Sequence, residues 1–381
     1  MQAKDNFSTK VSIPSPALQS QVIDFLRFPL IVLIVFYHNS DTALQIGDVL
    51  YDGSDTNMPV FHWCTQIFKV PLAFRNQFFF FISGYLFFQN VKKFDKLSYK
   101  NKIQNRVRTL FVPYLFWNCI VIALYVIISM IPQLNNIMNT EIHGHNFFRY
   151  FWNQPVELKS GFELEGIQLG YPINYQFWYV RDLMIAVLLT PILYFFCNKT
   201  RIYGILLLGI LWYFDWWIPI DGFNSVCIFF FTTGAYFGIN KKNLIEDFGK
   251  MRNLSFVLYP VLAIVDLLTV KNNFHIYVHR AVIIMGIVCC FNFATYLFEK
   301  KVIKPTKFLS SASFFLFAIH IPFLLTAIRK VSFMIFRPES DMAFTTLFFV
   351  NVFLTALCAL GLYYVLRRFL PRFTRVITGG R

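Results

Sequence analysis

Arg27 and His38 stand eleven positions apart in an otherwise apolar stretch, QVIDFLRFPLIVLIVFYHNS (Gln21–Ser40). On a helix that separation makes about three full turns, so both side chains leave from one side, roughly 16 Å apart along the axis. A guanidinium can grip a phosphate or carboxylate, and an imidazole can exchange a proton near neutral pH. The stretch is long enough to cross a bilayer, where such residues usually face a protein interior or an aqueous cavity. The plainer alternative has Arg27 snorkelling to the headgroups and His38 resting at the interface.

Three other segments carry reactive groups. Ser310–Pro322, SSASFFLFAIHIP, places His320 in an apolar run, at a depth similar to that of His38 by residue count. A buried histidine is either a hydrogen-bonded core residue or a proton carrier. Gln176–Leu183, QFWYVRDL, sets Arg181 beside Asp182, which reads as a structural ion pair or as the lining of a cavity. Lys100–Pro113, KNKIQNRVRTLFVP, offers Arg106 and Arg108, either as a cytoplasmic anchor or as a bidentate phosphate grip. No glycine-rich phosphate loop accompanies them. Arg280 falls near the same depth as Arg181. His62, His143, His145, His275 and His279 read as loop or interface residues without chemistry.

These groups need a scaffold, and composition names it. Of 381 residues 56% are hydrophobic and 14% charged, with 48 Phe. A chain so apolar is an all-α polytopic membrane protein rather than a soluble domain. Ten apolar runs are spans: Gln21–Ser40, Asn76–Val91, Thr109–Ile131, Ile173–Cys197, Ile202–Ile218, Asp221–Ile239, Asn253–Val270, Tyr277–Phe298, Phe308–Ile328 and Met342–Val365. Alternate assignment of the loops gives one set a roughly threefold excess of Lys and Arg, which puts both termini in the cytoplasm. Residues 1–20 are then a cytoplasmic segment without a cleaved signal, 21–366 the membrane domain with an outer loop at about 132–172, and 367–381 a basic cytoplasmic tail. The net charge of +15 is spread between apolar runs, which fits a membrane protein better than a nucleic-acid binder. The seven cysteines lack metal spacing, so neither a metal site nor a disulfide framework is expected. Within the second run, Ser83 and Gly84 permit close helix packing, with the neighbouring first span as the expected partner.

Taken in order, these motifs resemble acyltransferase family 3. The resemblance rests on Arg27-x10-His38, FFxSGYL (Phe80–Leu86), Arg106-x-Arg108-x4-Pro113-Tyr114, FWYVRDL (Phe177–Leu183) and SFFLFAIHIP (Ser313–Pro322), and covers about residues 20–365. It implies a multi-pass protein of the cytoplasmic membrane that moves an acyl group, usually acetyl from acetyl-CoA, to a carbohydrate or glycolipid hydroxyl at the outer face. The chain looks like the form without an extracytoplasmic hydrolase domain. It lacks the glycine-rich, acidic motif that follows the first span in longer relatives, which leaves the acceptor open, as are the acyl group and homo-oligomerisation.

Joined to the geometry, the resemblance makes Arg27, Arg106 and Arg108 the acyl-CoA contacts and His38 the general base, with Arg181 a candidate oxyanion donor. A pantetheine arm spans a length comparable to the roughly 16 Å between Arg27 and His38. Two alternatives stand beside this reading. A transporter or flippase for a glycosidic or anionic solute could use the same charges as a pathway, although no inverted repeat is visible. His320 could instead be the catalytic histidine.

Overall fold

The structure is a computed structural model, and it describes residues 15–40, 43–46, 49–52, 58–130, 144–153 and 170–380. The first fourteen residues lie outside them, as does most of the expected outer loop, including Glu141, His143, Glu157, Glu163 and Glu165.

The chain runs α1 (Ser15–Asn39), a hairpin of β1 (Ala43–Ile46) and β2 (Val49–Asp52), α2 (Pro59–Lys69), α3 (Arg75–Phe88) and α4 (Lys96–Arg106). It continues with α5 (Val112–Ser129), α6 (Trp178–Leu188), α7 (Thr190–Tyr213), α8 (Ser225–Ile239), α9 (Leu244–Gly249) and α10 (Arg252–Thr269). The last elements are α11 (His275–Glu299), α12 (Lys307–Ile319), α13 (Leu325–Phe336), α14 (Asp341–Phe369) and α15 (Pro371–Ile377). Among the described residues six helical stretches are each long and apolar enough to cross a membrane. A bent pair, α6 with α7, and the shorter apolar α8 join them. Exposed side chains agree with a lipid surround: Val257, Val261, Ile264 and Leu268 form an outward stripe on α10, while Ser255, Asp266 and Thr269 of the same helix are buried. Such a stripe is costly in water and neutral in hydrocarbon.

Helix α7 contains a break. Arg201 has φ +52° and ψ −134°. Cys197 Sγ approaches the Thr232 carbonyl of α8, and Trp212 stacks on Phe229 of α8 at 5.3 Å. Fifteen residues of straight helix would separate Cys197 from Trp212 by about 22 Å, against about 4.5 Å between positions 229 and 232. The chain therefore doubles back at Arg201, between two of the apolar runs.

Glycine sets the tightest contact, between α3 and α8. A Cβ on Gly84 would lie 2.0 Å from the Phe231 carbonyl oxygen, and one on Gly234 would lie 1.9 Å from that of Phe81. Only hydrogen fits there. The second run does touch the first span, as their adjacency in sequence predicts, but its small residues meet those of α8. Two further features were not foreseen: the segment after α1 forms a hairpin and an amphipathic helix, and the basic tail folds back. The Asp341 carboxylate accepts the first amides of α2, from Val60 at 2.9 Å and Phe61 at 2.7 Å. In the tail, Trp117 of α5 donates to the Ile377 carbonyl at 3.0 Å.

Candidate active site

Helix α1 presents Ile23, Arg27, Ile31 and Ile34 along one strip, and all four line a cavity of about 120 Å³. The other walls come from α3 (Phe79, Ser83), α6 (Tyr179), α12 (Ser313, Phe317) and Arg106 at the end of α4. Arg27 is held by Asp24, one turn before it, at 3.0 Å. Arg106 lies near enough for its charge to act on Arg27. Two guanidiniums lining one apolar cavity repel each other and attract an anion, so the cavity is suited to a phosphate-bearing ligand. Arg108 is exposed and does not line it.

His38 follows Ile34 by one turn of α1, and His320 follows Phe317 by about one turn of α12. The two imidazoles meet there, with ring centroids 5.3 Å apart. His320 is fully buried, whereas His38 is half-buried.

Local backbone chemistry fixes the orientation of His320. Pro322 has no N–H, so the Ala318 carbonyl loses its helical donor, and Ile321 is extended (φ −127°, ψ 142°), which frees the Phe317 carbonyl as well. Side chains take both places. His320 Nδ1 lies 2.7 Å from the Phe317 oxygen, and Gln176 Nε2 donates to the Ala318 oxygen at 3.4 Å and to the Ile321 oxygen. A ring nitrogen facing a carbonyl carries the hydrogen, which leaves Nε2 of His320 as the lone-pair nitrogen. That atom is buried and makes no hydrogen bond among the described residues. His38 Nδ1 lies 2.9 Å from the Tyr175 hydroxyl.

The sequence reading missed the polar residues around this pair. Tyr175, Gln176 and Asn174 stand just before α6, and Asn118 on α5 accepts from the Asn174 amide at 3.2 Å. Gln176 stood inside a quoted motif, yet nothing in one sequence distinguished it from a span boundary. Arg75 stands just before the second apolar run, where nothing in the sequence marks it out. It is 3% exposed, its Nη1 donates to the Leu72 carbonyl at 2.5 Å, and its guanidinium lies 4.2 Å over the ring of Tyr37, next to His38. Its charge acts on His38.

Arg181 has a different setting. Nε donates to Asp182 at 2.9 Å, and Nη1 donates to the Trp152 and Gly170 carbonyls at 2.6 and 2.7 Å. Asn224 in turn donates to Asp182. The pair ties the two described ends of the 132–172 loop to α6 and α8, and its bonds go to neither imidazole. Arg280 is engaged similarly, with the Tyr213 carbonyl at 2.6 Å and Asp215 at 3.3 Å.

Comparison with known proteins adds three findings. The model of the acyltransferase domain family, acyltransferase family 3, matches residues 21–368. The succinoglycan biosynthesis protein ExoH of Rhizobium meliloti (strain 1021) is 24% identical over 307 residues, which cover 79% of this chain and 77% of that protein. No solved structure matches.

Proposed function

Because the chain belongs to acyltransferase family 3, we propose that it transfers an acyl group from acyl-CoA, acetyl-CoA first among them, to a hydroxyl of a polysaccharide or its glycolipid precursor. One observation carries the reading: two imidazoles 5.3 Å apart stand one helical turn beyond a cavity lined by Arg27 and Arg106. The similarity to a succinoglycan biosynthesis protein supports a polysaccharide acceptor. Family membership favours transfer over transport.

In this proposal the chain crosses the cytoplasmic membrane ten times with both termini inside. The charge bias of its loops and the reversal at Arg201 support that count. Arg27 and Arg106 bind CoA phosphates at the cytoplasmic end, and the pantetheine arm lies along the α1 strip.

His38 donates Nδ1–H to the Tyr175 oxygen and uses Nε2 as general base. It removes the proton of the acceptor hydroxyl, whose oxygen attacks the thioester carbonyl carbon. Nε2 of His320 accepts a hydrogen bond from a neighbouring hydroxyl of the acceptor sugar and so orients the one that reacts. The tetrahedral oxyanion forms in the field of Arg75, which takes the role first considered for Arg181. Collapse breaks the carbon–sulfur bond, and the imidazolium returns the proton to the CoA thiolate. No acyl-enzyme is needed, since no Cys or Ser pairs with His38 among the described residues.

Proteoliposomes given acyl-labelled acetyl-CoA or succinyl-CoA and an oligosaccharide test the proposal. Label should enter the sugar with wild-type protein and not with His38→Ala. No transfer from either donor, with the protein inserted and intact, would sink it.

A further inference from the structure

On helices other than those that carry His38 and His320, α10 and α11 enclose a second group of ligand-type side chains. Asp266, near the end of α10, is fully buried, with its Oδ2 2.9 Å from His279 Nδ1 and its Oδ1 3.2 Å from His275 Nδ1. Both contacts are to imidazoles. The three ligand atoms lie within 4.8 Å of one another. His275 and His279 occupy i and i+4 on α11, so their rings sit on one face, with centroids 5.5 Å apart.

A fully buried carboxylate must have its charge balanced. Each imidazole offers it a single ring nitrogen, and Oδ1 of Asp266 accepts no hydrogen bond among the described residues. Two imidazole nitrogens and one carboxylate oxygen, drawn from two helices around a common point, match the donor set of a zinc-class divalent cation, with water as fourth ligand. Magnesium and calcium prefer all-oxygen shells. We propose that Asp266, His275 and His279 bind one zinc-class divalent ion, which pins the end of α10 to the start of α11. Both histidines are about a quarter exposed, at 23% and 25%, which gives the ion a route in. In the sequence these histidines read as loop or interface residues without chemistry, and only the fold brings Asp266 to them.

The test uses full-length protein in detergent with its affinity tag removed. After EDTA stripping it is titrated with zinc sulfate, and bound metal is measured by mass spectrometry beside thermal melting. One zinc per chain should be retained, and zinc but not magnesium or calcium should raise the melting midpoint. His279→Ala and Asp266→Asn should lose both responses. If Asp266→Asn fails to insert, His275→Ala, with its partly exposed ring, replaces it. Wild-type protein that retains no zinc, or an unchanged zinc response in the double variant His275→Ala/His279→Ala, overturns the proposal. So does stabilisation that follows lowered pH and ignores zinc, since a protonated ion pair would then occupy the place of the metal.

Discussion

His38 on the first helix and His320 on α12 hold their ring centroids 5.3 Å apart, and a broken helix makes this possible. Were Ile321 helical instead of extended, its amide would pair with the Phe317 carbonyl, and His320 Nδ1 would lose the bond that orients its ring.

The first prediction concerns the base. His38→Ala should lower kcat by about 10²–10⁴-fold while leaving the KM for acyl-CoA nearly unchanged, because the imidazole acts on the acceptor proton. Steady-state kinetics in proteoliposomes check this. Parental turnover in an inserted His38→Ala protein excludes the role.

His320 allows a sharper separation. In His320→Asn the side-chain amide can keep the donation to the Phe317 carbonyl while the Nε2 lone pair is gone. The expected protein melts close to wild type and is at least about tenfold slower. If instead it turns over normally, His320 is a core residue and nothing more.

Arg27→Gln and Arg106→Gln should each raise the KM for acyl-CoA by about 10- to 100-fold, the worth of a hydrogen bond to a charged group. Arg108→Gln should do far less, since that residue stands outside the cavity. Equal effects at all three positions would reduce them to charge anchors, and titration with CoA analogues lacking the ribose phosphate distinguishes the cases.

Arg181→Met removes one partner of a buried pair, which costs about 3–5 kcal/mol. Thermal melting should register the loss, while the surviving folded fraction keeps its kcat. A large fall in kcat with an unchanged melting midpoint would restore Arg181 to the chemistry.

Gly234→Val forces α3 and α8 apart, and overpacking of this kind costs about 1–3 kcal/mol or more. Reduced yield and a lowered melting midpoint are expected, with no specific change in KM. Gly361, where an added Cβ meets nothing within 4 Å, is the control.

Much of this was legible in the chain itself. Hydropathy runs gave the helices, since a span must be apolar throughout to sit in lipid. The eleven-residue spacing put Arg27 and His38 on one strip, since helical pitch is fixed by the backbone. Pro322 lies inside a run that reads as one continuous span, and only the fold shows the break beside it. Helix-to-helix pairing was not legible. Spans that are apolar all round carry no phase, so nothing local told the glycine of α3 to face α8 until the glycines of both were seen together.

The same reason hid Arg75 and Tyr175. Each stands at a span boundary, where a polar residue is unremarkable, and only packing shows that it turns inward. Arg181 and Arg106 each carry a structural and a functional reading, and the fold ties the first to loop carbonyls and leaves the second beside a cavity. The sequence by itself determined where the apolar helices run and that Arg27 and His38 share one of them. Tertiary structure decided which of them share a cavity, because that depends on contacts between segments that no spacing along one helix encodes.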